Sequence, residues 1–136
     1  MKTFYTIIAL LAAGAVGFFS GASGITKQTQ QIDENQEIID KLKQEVMSHF
    51  RHYFKDPDSA QFHSLRYYPR TLENGVSEQH LCGDFNIKNG NGAYVGYRPF
   101  VLTKHNSNSA NILFNSEEAS ESHKLSYEDI KEKCHK

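Results

Sequence analysis

The side chains best suited to bind a ligand lie in a glycine-dense block between positions 83 and 98. Tyrosine rings stack on flat groups and asparagine amides form hydrogen bonds, so this polar and aromatic block is suited to a glycan or a peptide. The candidate ligand-binding residues are Asn86, Lys88, Asn89, Tyr94, Tyr97 and Arg98. A structural interpretation stays open, in which asparagine and glycine form a turn and tyrosine fills a half-buried face.

Catalytic and metal-binding patterns are weak along this chain. His49 and His52 stand three residues apart on a predicted helix, but no third metal ligand follows at a motif spacing. His80 and Asp84 lie about 13 Å apart along a predicted strand, which is too far for direct pairing. We therefore predict no catalytic residue, no metal ion and no cofactor. The alternative is an enzyme, or an inhibitor of one, that uses the polar face of residues 80–88.

The N-terminal segment carries no charge between Lys2 and Lys27. Its apolar run over residues 4–25 is long enough to span a bilayer as one helix, which predicts a membrane anchor. Cleavage near Ala22 would instead satisfy the small-residue rule of a secretory signal peptide. We expect a single-pass protein whose remaining chain faces the periplasm or the exterior, or alternatively a secreted or periplasmic protein after cleavage.

The cysteine count agrees with an exported protein. Cys82 and Cys134 are the only cysteines in the chain. An even pair in an oxidising compartment favours a disulfide, which in the chain-entropy model contributes about 4 kcal/mol to stability.

The charge balance argues against a nucleic-acid partner. The chain has 15 lysine and arginine residues against 16 aspartate and glutamate residues. It therefore lacks the net basic charge that is typical of nucleic-acid-binding proteins.

Residues 27–54 predict one long amphipathic helix. Apolar residues recur every seven positions at Ile25, Ile32, Ile39, Val46 and Tyr53. Leu42 and Phe50 widen this stripe in the second half of the helix, whereas Gln28 and Asn35 interrupt it in the first half. The first half is therefore expected to be a polar stalk, and the second half is expected to pack on a core.

The rest of the chain predicts strands and a short last helix. With turns at 74–75 and 89–92, the strands are expected at residues 62–68, 79–88, 93–102 and 110–115. Leu81 and Phe85 share one face of the second strand, and Cys82 lies on the other. A capping box formed by Ser126 and Asp129 opens the last helix, whose inner face is expected to hold Tyr127, Ile130 and Cys134.

These elements predict an α+β fold with a long helix, an antiparallel sheet of three to four strands and a short C-terminal helix. A bridge between Cys82 and Cys134 would clamp that last helix over one face of the sheet and leave the other face for the long helix. The predicted organisation is an anchor or signal peptide at residues 1–25, a polar stalk at 26–38 and a disulfide-stapled domain at 39–136.

Two blocks of this sequence resemble the motifs of a known family. Residues 55–62 read KDPDSAQF and resemble KDPxSAxF, and residues 82–100 resemble CGxxNxKNxxGGYxGYxxF. The two motifs occur together in small exported or membrane-anchored bacterial proteins, often without assigned function, that commonly carry a cysteine near the C-terminus. Ala93 stands where the second motif has its second glycine, and the chain lacks a cysteine for lipid attachment. The resemblance implies a disulfide and an exported location, and it implies no particular activity.

The sequence therefore predicts a non-enzymatic, exported binding or structural domain at the bacterial cell envelope. Its partner is expected to be an envelope protein or a ligand whose identity is not readable from the sequence. Membrane contact is expected through residues 4–25 if that segment is retained.

Overall fold

The computed structural model describes residues 23–106 and 109–135, with side chains from residue 28 onward. Its elements, in chain order, are α1 (Ser23–Tyr53), a 3-10 turn (Pro57–Ser59), β1 (Gln61–Thr71), β2 (Ser77–Asn86), β3 (Arg98–His105), β4 (Ser109–Phe114), a 3-10 turn (Glu121–His123) and α2 (Tyr127–Lys133). The predicted α+β layout of a long helix, an antiparallel sheet and a short C-terminal helix is confirmed.

The predicted membrane or signal segment falls mainly on residues 4–22, which lie outside the described residues. Within residues 23–106 and 109–135, no helix is both long and apolar enough to cross a bilayer. The anchor, the signal peptide and the predicted domain boundaries after residues 25 and 38 stay predictions.

Helix α1 changes character along its length, as its sequence pattern predicts. Side chains 28–37 are all exposed, including Ile32. From Leu42 onward every fourth residue is buried, because Val46 and Phe50 follow on the same face of the helix. The chain also divides into two compact units between Gln36 and Glu37, and the sheet belongs to the second unit.

The sheet is a simple antiparallel meander in the order β1-β2-β3-β4. The turn between β1 and β2 forms at the predicted Asn74-Gly75 pair. Gly75 takes a positive φ of 80°, and the side-chain oxygen of Asn74 accepts a hydrogen bond of 3.1 Å from the amide of Val76. Asparagine and glycine thus serve this turn for the reasons that make them common in turns.

Two predicted strand limits are wrong for identifiable reasons. Strand β1 does not stop before Pro69 but continues to Thr71, because β1 is an edge strand and an edge tolerates a residue without an amide hydrogen. The third strand does not begin at Ala93 but at Arg98. Positive φ angles at Gly92 and Gly96 break the extended backbone before it.

A bulge in β1 explains one glycine of the second motif. The register between β1 and β2 shifts between His63 and Arg66, and Ser64 takes a positive φ of 53°. Leu65 then lies so close to β2 that a Cβ atom on Gly83 would stand only 2.7 Å from its Cδ2 atom. A side chain here would have to displace that leucine and would also stand 3.2 Å from the carbonyl oxygen of His63, so the close approach of the bulged strand favours glycine.

The main core lies between α1 and one face of the sheet. Leu81, Phe85 and Ile87 of the β2 segment point to this face and are buried. At the centre of the core, Phe50 from α1 contacts the rings of Phe54, Phe62, Phe85, Phe100 and Phe114. The closest of these contacts has ring centroids 4.7 Å apart, within the range of favourable aromatic pairs.

A smaller core lies on the opposite face of the sheet, under α2. Cys82 and Val101 pack there against Leu125 and Ile130, and the disulfide between Cys82 and Cys134 joins the helix to β2. The predicted bridge is confirmed, with the two Cα atoms 6.0 Å apart.

The predicted capping box of Ser126 and Asp129 is confirmed as well. The expectation that Tyr127 faces the sheet is wrong, because this residue is 72% exposed. Leu125, just before the helix, instead takes the buried position beside Ile130.

The disulfide can be tested by replacing both cysteines, in the variant Cys82→Ser with Cys134→Ser. The bridge closes a loop with a sequence separation of 52 residues. Its loss is expected to lower the free energy of unfolding by about 4 kcal/mol, because the unfolded chain regains loop entropy. Urea unfolding measures this change, and Ser126→Ala, which removes only a helix cap, is expected to cost about 1 kcal/mol. Equal losses of unfolding free energy in the two variants would contradict the proposed contribution of the disulfide to stability.

Candidate functional site

Residues 87–97 connect β2 to β3 and are named here the tyrosine loop. Asn89 shapes its tip, since its side-chain oxygen accepts hydrogen bonds from the amides of Asn91 at 3.0 Å and Ala93 at 3.1 Å. Its own amide donates to the carbonyl oxygen of Ala93 at 2.9 Å. The structural interpretation therefore holds for Asn89, which forms the turn.

Asn86 holds the other end of the tyrosine loop. Its side-chain oxygen accepts a hydrogen bond of 3.2 Å from the amide of Gly96, which takes a positive φ of 105°. The loop backbone is thus held by asparagine side chains at its tip and at its base, together with one isolated antiparallel bridge between Lys88 and Tyr94. Asn86 and Asn89 act chiefly as supports for the residues between them.

The two family-like motifs meet at Ser59. Its hydroxyl oxygen accepts a hydrogen bond of 3.0 Å from the amide of Lys88 and donates one of 2.7 Å to the carbonyl oxygen of Asp56. Its carbonyl oxygen accepts a bond of 2.9 Å from the hydroxyl of Tyr94. Residues 55–62 and 82–100 therefore form one structural unit, and the serine joins the corner after α1 to the tyrosine loop.

The exposed part of the tyrosine loop is apolar and aromatic. Tyr94, Val95 and Tyr97 expose 42%, 54% and 52% of their surface. The ring of Tyr97 lies 5.6 Å from the ring of His63, and Lys88 Nζ lies 5.7 Å from the centre of the Tyr94 ring. Large side chains held this way on a fixed backbone form a surface patch of the kind that binds partners.

Arg98 does not join this patch. It stands opposite Phe85 in the register of β2 and β3, on the face of the sheet that packs against α1. Its guanidinium carbon lies 5.3 Å from the centre of the Phe85 ring, and its Nε atom is buried without a hydrogen-bond partner among the described residues. The structure therefore separates Arg98 from Tyr97, although the two are adjacent in sequence.

The polar side chains of residues 80–88 are not gathered in one pocket. The bridge from Cys82 to Cys134 brings α2 down between His80 and Asp84. Asp84 lines a cleft of about 420 Å³ on one side of this clamp, and His80 lines a cavity of about 290 Å³ on the other. These two side chains do not meet in one pocket, as a shared catalytic role would require.

His80 instead belongs to a buried network that sequence reasoning missed. Its Nδ1 atom lies 3.1 Å from Thr103 Oγ1, and its Nε2 atom lies 3.3 Å from Glu78 Oε2. Glu78 also accepts a bond of 2.7 Å from Arg70 and lies 3.2 Å from His105. The available signal was the spacing of positions 78 and 80, which places both on the face of Cys82.

Burial and charge shift the pKa values of this network in opposite senses. Burial lowers the pKa of His80 below its ordinary value, against the opposing effect of the Glu78 carboxylate. Burial alone would raise the pKa of Glu78, but the bonds and charge of Arg70 keep that pKa below its ordinary value. The stable arrangement is therefore a neutral imidazole beside a carboxylate paired with a guanidinium.

His49 and His52 of α1 are not joined by further metal-ligating side chains in the described part of the chain. Within residues 23–106 and 109–135, no group of three or more His, Cys, Asp or Glu side chains is placed to hold a metal ion. Burial lowers the pKa of His49, while His52 is exposed.

Comparison with protein-family models, with curated proteins and with solved structures found no match for this chain. The resemblance drawn from the motifs at residues 55–62 and 82–100 therefore stays a prediction. The site has to be interpreted from its own geometry.

Replacing Ser59 tests the junction of the two motifs. Ser59→Ala leaves the amide of Lys88 without its acceptor, and we expect the free energy of unfolding to fall by about 1–2 kcal/mol. Hydrogen exchange at the Lys88 amide is expected to accelerate as well. The control is Ser122→Ala, because the hydrogen bonds of this exposed hydroxyl in the described part of the chain go to its neighbours Ser120 and His123. Equal effects of the two substitutions would contradict the role of Ser59.

The pH dependence of stability tests the buried state of His80. Because its pKa is lower in the folded protein, the unfolded chain takes up the proton first when the pH falls. Stability is therefore expected to decrease as the pH drops through about 6.5, the ordinary imidazole value. His80→Gln is expected to reduce this slope in urea unfolding between about pH 7.5 and 5.5, above the range where Glu78 loses its charge. An unchanged slope would contradict the assignment.

Proposed function

We propose that this chain is a non-enzymatic binding domain of the bacterial cell envelope and that its ligand lies against the tyrosine loop. The observation that carries the proposal is the exposure of Tyr94, Val95 and Tyr97 on a loop whose backbone is held by hydrogen bonds. Such a surface offers large contact area while little conformational freedom remains to be lost on binding.

The contacts and exposure of the two tyrosines favour a role in ligand binding over a role in the core. Tyr94 is held by its hydroxyl on Ser59, yet part of its ring faces solvent. Among the described residues, Tyr97 makes one ring contact, with His63, and about half of its surface is exposed. If these tyrosines served only the core, their rings would be expected to lie inside it, as those of Phe50 and Phe85 do.

We propose a glycan as the ligand class. Rigid tyrosine rings stack on the apolar faces of sugar rings, and the polar groups beside them bind sugar hydroxyls. A peptide bound as an added strand would instead pair with a sheet edge such as β1, whereas the exposed rings lie on the tyrosine loop, which contains no regular strand.

The location at the envelope rests on three features. Residues 4–25 are apolar and suit an anchor or a cleaved signal, and the two motifs resemble those of exported bacterial proteins. The disulfide between Cys82 and Cys134 suits an oxidising compartment. A retained anchor would place residues 26–38 as a spacer between the membrane and the binding domain.

Binding of a soluble N-acetylglucosamine hexamer, a neutral analogue of the envelope glycan backbone, tests this function. We expect Tyr97→Ala to weaken binding about tenfold or more, because stacking and burial of a tyrosine ring are lost. Tyr127→Ala is the matched control, since it removes an even more exposed tyrosine from a different surface. Isothermal titration calorimetry measures both variants.

A second substitution separates the ring of Tyr94 from its hydroxyl. Tyr94→Phe keeps the stacking surface but removes the hydrogen bond to Ser59, and we expect it to bind more tightly than Tyr94→Ala. No binding of the hexamer to the unmodified protein, or equal losses in Tyr97→Ala and Tyr127→Ala, would overturn the proposal.

A further inference from the structure

We infer that the glycan-binding surface does not end at the tyrosine loop but continues along the outer face of the sheet into the cleft beside the disulfide. This cleft of about 420 Å³ is named here the Asp84 cleft, and its polar walls include Ser64, Arg66, Tyr68, Asp84 and His135. The inference rests on the proposed function and names the part of the ligand that this second subsite would hold, a neutral and hydroxyl-rich extension of the same glycan.

The Asp84 cleft is continuous with the tyrosine loop through His63. The ring of His63 lies 5.6 Å from that of Tyr97, and His63 pairs with Asp84 across β1 and β2. Directly paired residues of neighbouring strands place their Cβ atoms about 5 Å apart. Tyr97 and Asp84 therefore lie on the order of 10 Å apart along one surface, with a polar aromatic ring between them.

The charges of the cleft indicate what it would bind. The side chains of Asp84 and Arg66 both line it, yet neither side chain forms an ion pair or a hydrogen bond within the described part of the chain. Opposite charges that share a cleft without contact leave room for a group between them that interacts with both. A hydroxyl group does so, since it donates to the carboxylate and accepts from the guanidinium.

The same charges argue against a charged ligand. One carboxylate and one guanidinium cancel, so the cleft carries no net charge when His135 is neutral. A polyanion or an acidic peptide would gain a partner in Arg66 but would meet Asp84 as a repulsive neighbour. A neutral glycan satisfies both groups, which makes it the occupant that the residues favour.

The disulfide gives this subsite a fixed floor. Cys82, Gly83 and Cys134 line the cleft together with Ile130 of α2. Because the bridge ties α2 to β2, the wall formed by the helix cannot move away from the strand that carries Asp84. The cleft is thus preformed, which lowers the entropic cost of holding an extended ligand.

The test compares N-acetylglucosamine with its hexamer on four variants. The single sugar is expected to reach only the tyrosine loop, whereas the hexamer is expected to reach the Asp84 cleft as well. Asp84→Asn keeps the shape of the side chain but removes its charge, and we expect it to weaken the hexamer about tenfold while leaving the single sugar unchanged. Asp33→Asn makes the same chemical change on the exposed part of α1 and is expected to alter neither affinity.

The outcomes separate this inference from the proposed function. If Tyr97→Ala weakens both sugars while Asp84→Asn weakens neither, the tyrosine loop binds glycan and the extension into the cleft is overturned. If Asp84→Asn weakens the single sugar and the hexamer equally, Asp84 acts on the loop itself and the extension is again overturned. If neither variant weakens either sugar, the proposed function fails together with the inference. Arg66→Gln provides a second variant of the cleft and is expected to behave like Asp84→Asn.

Discussion

The fold of the second unit depends on the register of β2, one of the two central strands that are buried on both faces. Leu81 and Phe85 face the aromatic core under α1, while Cys82 between them faces α2 and bonds to Cys134. Because successive side chains of a strand point to opposite faces, the position of each of these residues determines the position of the next. A shift of the register by one residue would place phenylalanine under α2 and move the cysteine into the main core. The two helices and the disulfide therefore all depend on the same register.

The disulfide-bound α2 also divides the outer face of the sheet into two sides with different properties. On one side of the clamp, Glu78 and His80 are buried, Glu78 accepts a bond from Arg70, and His80 Nδ1 lies beside the hydroxyl of Thr103, so this side contributes to stability. On the other side, the side chains of Asp84 and Arg66 share an accessible cleft without pairing, which leaves both available to the glycan proposed above. Charged groups that satisfy each other stabilise a fold, whereas unpaired groups at a cleft are available for recognition.

The tyrosine loop shows how a segment without regular strand pairing is kept in one conformation. Side-chain oxygens of Asn86 and Asn89 accept the loop's own amides, and Ser59 fastens the loop to the corner after α1. These bonds leave the rings of Tyr94 and Tyr97 at the surface with little freedom to rearrange. The asparagines of the second motif thus act mainly as supports, and the residues proposed to face a ligand are the fewer aromatic ones.

The secondary-structure elements that depend on neighbouring residues could be predicted from the sequence alone. The stripe of α1, the alternation of β2, the turn at Asn74-Gly75 and the capping box of Ser126 each depend on neighbouring residues, and the pairing of the only two cysteines followed from their number. The end of β1 depends on the tertiary structure, because Pro69 is tolerated in a strand that lies at the edge of the sheet. The exposure of Tyr127 also depends on it, because Leu125 takes the buried position beside Ile130. The junction at Ser59, the split between His80 and Asp84 and the separation of Arg98 from Tyr97 also escaped the sequence. These three features depend on distances between residues of different elements. Such distances are set only when the strands pair and α2 is bonded to β2, so they cannot be deduced from local sequence patterns.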